Sequence, residues 1–510
     1  MACRVRRSAV DPKVGEHKLL FYGRVSLALS LPLLENTQDE YEKKEKCGIF
    51  GVWGTSDAAQ VVYSGLFAQQ HRGQESAGMA VTDGKVLRGH TGMGLVSQVF
   101  NPRMFREDLV GTAAIGHVRY STTGSSRLCN AQPLLREYRM GPVAVAHNGN
   151  LINAALLRQQ YEEHGHIFQS TTDTEIIVHL LAKPTHSEKK DPLPHVLRHL
   201  QGAYSLLFLF PDRIEAARDP WGVRPLVIGK TNDGKWCVAS ETCAFDAIDA
   251  TLVREVEPGE IVRIDDNGPT SRMFDSPASP RAMCVFEHVY FSNPASKIFG
   301  QTVHVVRQRL GRQLAIESPV AADYIMPMPD SGRSAALGFA QQSRIPFEEG
   351  IVPNRFVGRT FILPHQLQRD RAVQMKLNII PDVVNGKRIV IVEDSVVRGT
   401  TTRSKMRAIR RAGAREIHLR VSCPPIRHPC FYGIDFPTSE ELIAHNRTVE
   451  QVREFLEVDS LAYLSMDGML SCVNQPRENY CTACWSGEYK IPIDNPQSKF
   501  SFERDQLRMF

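Results

Sequence analysis

Two adjacent carboxylates, Glu393 and Asp394, follow the aliphatic run Ile389-Val390-Ile391-Val392 and precede Ser395-Val396-Val397-Arg398-Gly399-Thr400-Thr401-Thr402. Acids at the carboxyl end of a buried strand accept hydrogen bonds from vicinal hydroxyls or hold a hydrated Mg²⁺. The loop after them, with Ser395, Arg398, Gly399, Thr400 and Thr401, opens a helix, and unpaired backbone N–H groups at a helix start suit a phosphate. A second loop, Met326-Pro327-Met328-Pro329-Asp330-Ser331-Gly332-Arg333, also follows a strand and opens a helix. Alone it reads equally as an ordinary turn. Between the two loops, Arg355, Arg359, Arg369, Arg371 and Lys376 form a basic stretch. Such a stretch could close over a polyanion and exclude water, or simply be solvated.

Cysteine is the second source of chemistry. Eleven cysteines is an odd number in a long chain, so a small disulfide-stapled secreted fold is a poor reading. The close pair Cys481-Thr482-Ala483-Cys484 has the spacing of a metal site, a cluster site or a redox pair.

Positioning these residues requires two kinds of architecture. Residues 47–280 contain many strand-like apolar runs, including 47–54, 78–81, 113–118, 143–147 and 204–210, with a helical pattern near 173–181. This pattern predicts a layered α/β domain. Asp275-Ser276-Pro277-Ala278-Ser279-Pro280 reads as a linker or surface turn. Beyond it, strands at 322–327, 388–392 and 416–422 alternate with helices at 334–342 and 400–412, which predicts a parallel sheet with helices on its faces over 281–510. Residues 1–46 differ in character, with Arg4, Arg6 and Arg7 before a short apolar stretch and a charged run at 39–46. They are expected to be a removed or disordered leader rather than a secretory signal. The 510 residues are 42% apolar and 23% charged with a net charge of +5, which fits a globular protein and argues against a dedicated nucleic-acid binder. No apolar run reaches the roughly 18 to 20 residues of a membrane span.

The segment around Glu393-Asp394 resembles the phosphoribosyl pyrophosphate (PRPP) signature of type I phosphoribosyltransferases. The motifs Cys47-Gly48-Ile49-Phe50-Gly51, Gln70-His71-Arg72-Gly73-Gln74-Glu75, Gly116-His117-Val118-Arg119-Tyr120, His147-Asn148-Gly149-Asn150 and Asp173-Thr174-Glu175 resemble the N-terminal-nucleophile glutamine amidotransferases. The two halves together are similar to the PRPP-dependent glutamine amidotransferases, from Cys47 to about Tyr489. The resemblance implies a chain that begins at Cys47 after loss of 1–46, whose free α-amine is the base for its own thiol. It implies an oxyanion hole from the Asn148 side chain and the Gly149 N–H, with Arg119 and Asp173 binding the α-carboxylate and α-ammonium of glutamine. His71 and His117 are expected to be architectural. It also implies PRPP binding by Glu393, Asp394, Ser395, Arg398, Gly399, Thr400, Thr401 and Lys376, and one Mg²⁺ at Ser331, Glu393 and Asp394.

Cys284, Cys430, Cys481 and Cys484 match the positions of a [4Fe–4S] cluster in one branch of the family, although four thiolates would also satisfy zinc. Cys129, Cys237, Cys243, Cys423 and Cys472 are expected in the core. Glutamine, PRPP and purine nucleotide inhibitors are the implied partners, with a homotetramer in the cytoplasm and neither nucleic acid nor membrane. This sequence departs from the family pattern at Lys46, Phe356 and Glu393. It departs also at Phe291-Ser292-Asn293-Pro294-Ala295-Ser296, which lacks the usual cation and carboxylate of this junction.

Overall fold

The computed structural model describes residues 47–120, 125–354, 377–436 and 438–493. Lys376, the basic residues 355–371 and Phe356 lie outside them. All the described residues belong to one unit of the chain.

The first half is built on two antiparallel sheets. Seven strands form one sheet, in the order Ala250–Glu255, Val227–Thr231, Trp236–Ala239, Gly48–Trp53, Ala113–Arg119, Ser76–Thr82 and Leu87–Met93. Six form the other, in the order Gly268–Met273, Glu260–Asp265, Arg213–Arg218, Gly202–Phe210, Gly141–Leu151 and Leu134–Tyr138. The apolar runs are continuous rather than alternating because both faces of each sheet are covered. In Gly48–Trp53, Ile49 and Trp53 enter the core between the sheets, while Phe50 and Val52 join the core under helix Ala58–Ala68. Likewise Leu207 and Leu209 point between the sheets, and Leu206, Phe208 and Phe210 pack toward helices Ala154–Glu163 and Glu175–Ala182. Successive side chains point to opposite faces of a strand, so one sequence feeds two cores.

The second half centres on a four-stranded sheet, Tyr324–Pro327, Arg388–Glu393, Glu416–Val421 and Ser460–Tyr463, with every pair parallel. Helices Arg333–Ser343 and Thr400–Arg411 follow the first two strands, so each strand delivers its carboxyl end to a loop and a helix start. Gly399, with φ of 77°, takes the left-handed conformation that begins the second of these helices, which a residue with a Cβ adopts at a cost. The Asp275–Pro280 stretch runs along the surface, held where the Ala278 N–H donates to the Pro220 carbonyl. Just beyond it, Met283–Cys284 pairs in parallel with Tyr480–Cys481, which puts Cys284 opposite Cys481 and ties the C-terminal segment to the middle of the chain.

Helices Val303–Glu317 and Arg333–Ser343 cross at glycine. A Cβ on Gly311 would lie 1.8 Å from the Ala335 carbonyl oxygen, and one on Gly338 would lie 2.0 Å from that of Gln308. Neither contact is with a flexible side chain, so the helices themselves must separate to admit a methyl group. Gly311→Ala is therefore expected to destabilise the protein by about 2 kcal/mol or more, measured as a lowered thermal unfolding midpoint.

Candidate functional site

Cys47 opens the strand Gly48–Trp53, buried at 6% exposure. Its Sγ donates to the Tyr120 carbonyl at 3.5 Å, and its own carbonyl accepts from Arg72 Nε at 3.0 Å. Burial pushes the thiol up to about 11, against the opposing pull of the Tyr120 contact and Arg119. At neutral pH the thiol therefore keeps its proton until a base removes it. Asn148, 1% exposed, lies on the other sheet. Ser240 joins the two sheets: its Oγ accepts from the Ile49 N–H at 3.1 Å and from Asn148 Nδ2 at 3.3 Å. An amide nitrogen carries two donors, so the Asn148 amide keeps a second one after this bond. Gly149 has φ of 156°, and a Cβ there would sit 1.9 Å from the Ala203 carbonyl oxygen, so no side chain fits.

The two expected glutamine-binding residues are both buried. Arg119 donates to the Ser125 carbonyl at 3.3 Å and pairs with Glu75 at 3.6 Å. Asp173 lies two residues before helix Glu175–Ala182, accepts the Leu151 N–H at 2.9 Å and faces His147 at 3.6 Å. Burial raises the Asp173 pKa, but His147 and the hydrogen bonds overcome this and lower it below the ordinary carboxylate value. His117 bonds the His147 carbonyl at 3.0 Å, and burial lowers its pKa to about 3, so it stays neutral. His71 bonds Glu241 at 2.9 Å.

At the end of the central parallel strand, Glu393 and Asp394 are 2% and 1% exposed. Ser331 and Ser395 each donate a hydroxyl to Asp394. Thr402 donates to Glu393 at 3.3 Å, and Lys405 lies 3.9 Å from it. The Ser331 loop is pressed onto this strand: the Met328 N–H donates to the Val392 carbonyl at 2.8 Å. A Cβ on Gly332 would lie 2.3 Å from that same oxygen. Two buried acids with hydroxyl neighbours are a hard, all-oxygen donor set, which suits Mg²⁺. Arg398 reaches Glu441, Thr400 is exposed and Thr401 half-buried on the same helix start.

The four cysteines assigned to a cluster converge. Cys284 and Cys481 are strand neighbours, the Tyr432 N–H donates to Cys430 Sγ at 3.4 Å, and burial first, then the nearby Cys430, Cys481 and Cys284, push the Cys484 thiol well up. Zinc would draw four thiolates to about 3.8 Å from one another, given its tetrahedral bonds of about 2.3 Å. Among the described residues, the group of three ligand atoms lying within 4.8 Å of one another is His71, Glu241 and Cys243. Four thiol donors brought near one another suit a thiolate-bound metal or cluster, zinc and iron–sulfur alike. Cys237, Cys243, Cys423 and Cys472 are buried, but Cys129, expected in the core, is exposed at the short turn Leu128–Asn130. Its neighbour Asn130 takes the buried position instead, bonding Thr171.

A glutamine amidotransferase domain model matches residues 117–247. The amidophosphoribosyltransferase of Synechocystis sp. is 49% identical over 469 residues, 91% of this chain and 94% of its own length. That of Bacillus subtilis is 47% identical over 454 residues, 88% and 95% of the two chains. The chain belongs to the amidophosphoribosyltransferase family. The solved structure of glutamine PRPP amidotransferase from B. subtilis, complexed with ADP and GMP, matches with a TM-score of 0.83 at 46% identity, over 89% of this chain and 99% of that one. The expected fold class, a layered α/β half followed by a parallel-sheet half, is that of this family.

In this amidophosphoribosyltransferase family member, sequence reasoning overlooked Ser240, Arg72, Glu241, Arg224 and Glu287. Arg72 belongs to the motif Gln70–Glu75, but nothing in the spacing of the others links them to Cys47, since their long-range contacts span 52 to 215 residues of chain. Ser240→Ala removes the hydroxyl that holds Asn148 against the Cys47 strand. Glutamine-dependent turnover should fall about tenfold while ammonia-dependent turnover is kept, as read by assaying both nitrogen sources on one preparation.

Proposed function

We propose that this chain transfers ammonia from glutamine to PRPP, forming 5-phosphoribosylamine, glutamate and pyrophosphate in the first step of purine synthesis. The observation that carries the reading is the convergence on Ser240 of the strand that Cys47 begins and the amide of Asn148. In this reading residues 1–46 are a removed leader, 47–280 the glutaminase domain and 281–510 the phosphoribosyltransferase domain with its cysteine-bearing tail.

The α-amine freed at Cys47 has an ordinary pKa of about 8, so it can take the proton that the buried thiol retains. The thiolate attacks the glutamine amide carbon. Asn148 Nδ2 and the Gly149 N–H receive the developing oxyanion, and ammonia leaves. Arg119 and Asp173 hold the amino-acid end of glutamine. Ammonia must reach the anomeric carbon of PRPP before water protonates it, so a closed, mostly apolar passage joins the sites. There Glu393 and Asp394 accept hydrogen bonds from the ribose hydroxyls. The loop from Ser395 through Arg398 and Gly399 to Thr400 and Thr401 cradles the 5-phosphate. Lys376, outside the described residues, is assigned to PRPP binding as well.

Mg²⁺, held with PRPP by Ser331, Glu393 and Asp394, would neutralise charge on the departing pyrophosphate. A [4Fe–4S] cluster on Cys284, Cys430, Cys481 and Cys484 would tie the chain's middle to its tail, and its binding would be folding free energy. Feedback by purine nucleotides, a homotetramer and a cytoplasmic location, without nucleic acid or membrane as partner, complete the proposal. Among the described residues no helix is long and apolar enough to cross a membrane.

Active enzyme should begin at Cys47, and N-terminal sequencing that reads Met1 in active protein would refute the base assignment. Cys47→Ala should abolish glutamine use yet make phosphoribosylamine from ammonium at high pH. Asp394→Asn should lower both activities together, roughly 10- to 100-fold. Cys430→Ser should lower iron content and soluble yield; stoichiometric zinc without iron in wild-type protein prepared without oxygen would overturn the cluster.

A further inference from the structure

Four buried charges outside the reacting groups meet where the two halves touch. Glu287 begins a π-helical turn, Glu287–Phe291. Its carboxylate receives two hydrogen bonds from Arg72, at 3.1 and 3.0 Å, one from Arg224 at 3.1 Å and one from the Ser292 hydroxyl at 2.8 Å. The side chains of Arg72, Arg224, Glu241 and Glu287 have no solvent exposure. Glu241 takes the remaining face of Arg72, and also accepts the Asn293 N–H at 2.7 Å and the Ser296 hydroxyl at 2.7 Å. The stretch in which this chain departs from its family's pattern, 291–296, thus supplies polar groups to both acids.

Each arginine also holds something else. Arg72 donates to the Cys47 carbonyl. Arg224 donates to the Tyr432 carbonyl, two residues after Cys430. That segment lies on the oxyanion strand: Asn150 Nδ2 donates to the Phe431 carbonyl at 3.0 Å. A Cβ on Gly433 would come within 3.0 Å of the Gly149 carbonyl carbon. On its other side, the residue before Arg224 accepts the Cys284 N–H at 3.1 Å through its carbonyl. The Tyr432 N–H in turn donates to Cys430 Sγ at 3.4 Å, so Arg224 holds the residue that bonds this thiol.

We propose that Glu287 and Arg224 are positioning residues that couple the four-cysteine centre to the glutamine site, Arg224 setting the Cys430–Gly433 segment against Gly149 and Glu287 linking Arg224 to the arginine that holds Cys47. The proposal rests on the assignment of Cys47 as nucleophile and of the cysteine quartet as a metal centre. Glutamine use therefore depends on the state of that centre through packed groups, with no electron transfer to substrate. The field at the centre depends in turn on the Glu287 charge, because this carboxylate pairs with Arg224, the cation bonded to the residue whose N–H meets Cys430 Sγ.

The test uses the processed full chain, loaded with its metal and prepared without oxygen. Glu287→Gln keeps the shape but turns one acceptor into a donor facing an arginine. Three properties are compared with wild type: kcat/KM for glutamine against that for ammonia, the rate at which a diazoketone analogue of glutamine alkylates Cys47, and the midpoint potential of the centre. The expected result is a loss of roughly tenfold or more in glutamine kcat/KM and in alkylation. Ammonia-dependent turnover should stay within about twofold, and the potential should rise, because net positive charge near a cluster favours its reduced form. Asn150→Ala, at a half-buried position where loss of one amide is compatible with folding, should slow alkylation with the same sparing of ammonia use.

A metal-loaded Glu287→Gln protein with unchanged potential would overturn the coupling, whatever its glutaminase activity. So would equal loss of both nitrogen activities in both variants, or Asn150→Ala protein alkylated at the wild-type rate. If wild type carries no metal, or if Cys47 resists the analogue in wild type, the underlying site assignment fails and the coupling with it. Metal-loaded, reactive wild type with unaltered variants isolates failure of the coupling alone.

Discussion

The register between the two halves rests on a buried cluster of charges at their junction. Arg72 and Arg224 share Glu287, and Arg72 also meets Glu241, with no water available to any of the four side chains. Removing ions from water is costly, and such clusters contribute little net stability against an apolar replacement. What they do supply is directional geometry. A bidentate arginine–carboxylate pair has one good arrangement, whereas apolar surfaces of similar area slide over one another. Here that arrangement fixes a residue from each of four chain segments relative to Cys47. Burial raises the Glu241 pKa and the charges of His71 and Arg72 overcome it, so this acid stays ionised well below the ordinary carboxylate range.

The two reactive regions solve the placement of buried polar groups differently. In the antiparallel half, Asn148 and Cys47 come from different sheets, and a single hydroxyl, Ser240, keeps them in register. In the parallel half, Glu393 and Asp394 sit at one strand end. Their neighbours come from the adjoining loop and helix start: Ser331, Ser395 and Thr402. Parallel topology makes this possible, because every strand delivers its carboxyl end to the same edge. Glycines set the closeness of approach in both halves. Gly149 and Gly332 each stand where a Cβ would strike a backbone carbonyl.

The amino-acid sequence by itself determined the two architectures and the reactive residue types. Continuous apolar runs such as 204–210 marked strands covered on both faces. The 3.6-residue pattern between Thr400 and Ala412 marked a helix directly behind the acids, and the structure runs it from Thr400 to Arg411. Both signals are local, resting on periods of two and 3.6 residues that backbone geometry imposes over a few turns. Tertiary structure alone decided which distant polar groups meet. Ser240, Glu241, Arg224 and Glu287 carry no spacing signal, because their partners lie far away in sequence and reach them only after the sheets have packed. The same reason explains Cys129: a cysteine's type favours the interior, but the turn that carries it places Asn130 inside and the thiol outside. Long-range complementarity of buried charge and shape belongs to the packed chain, and no window of neighbouring residues contains it.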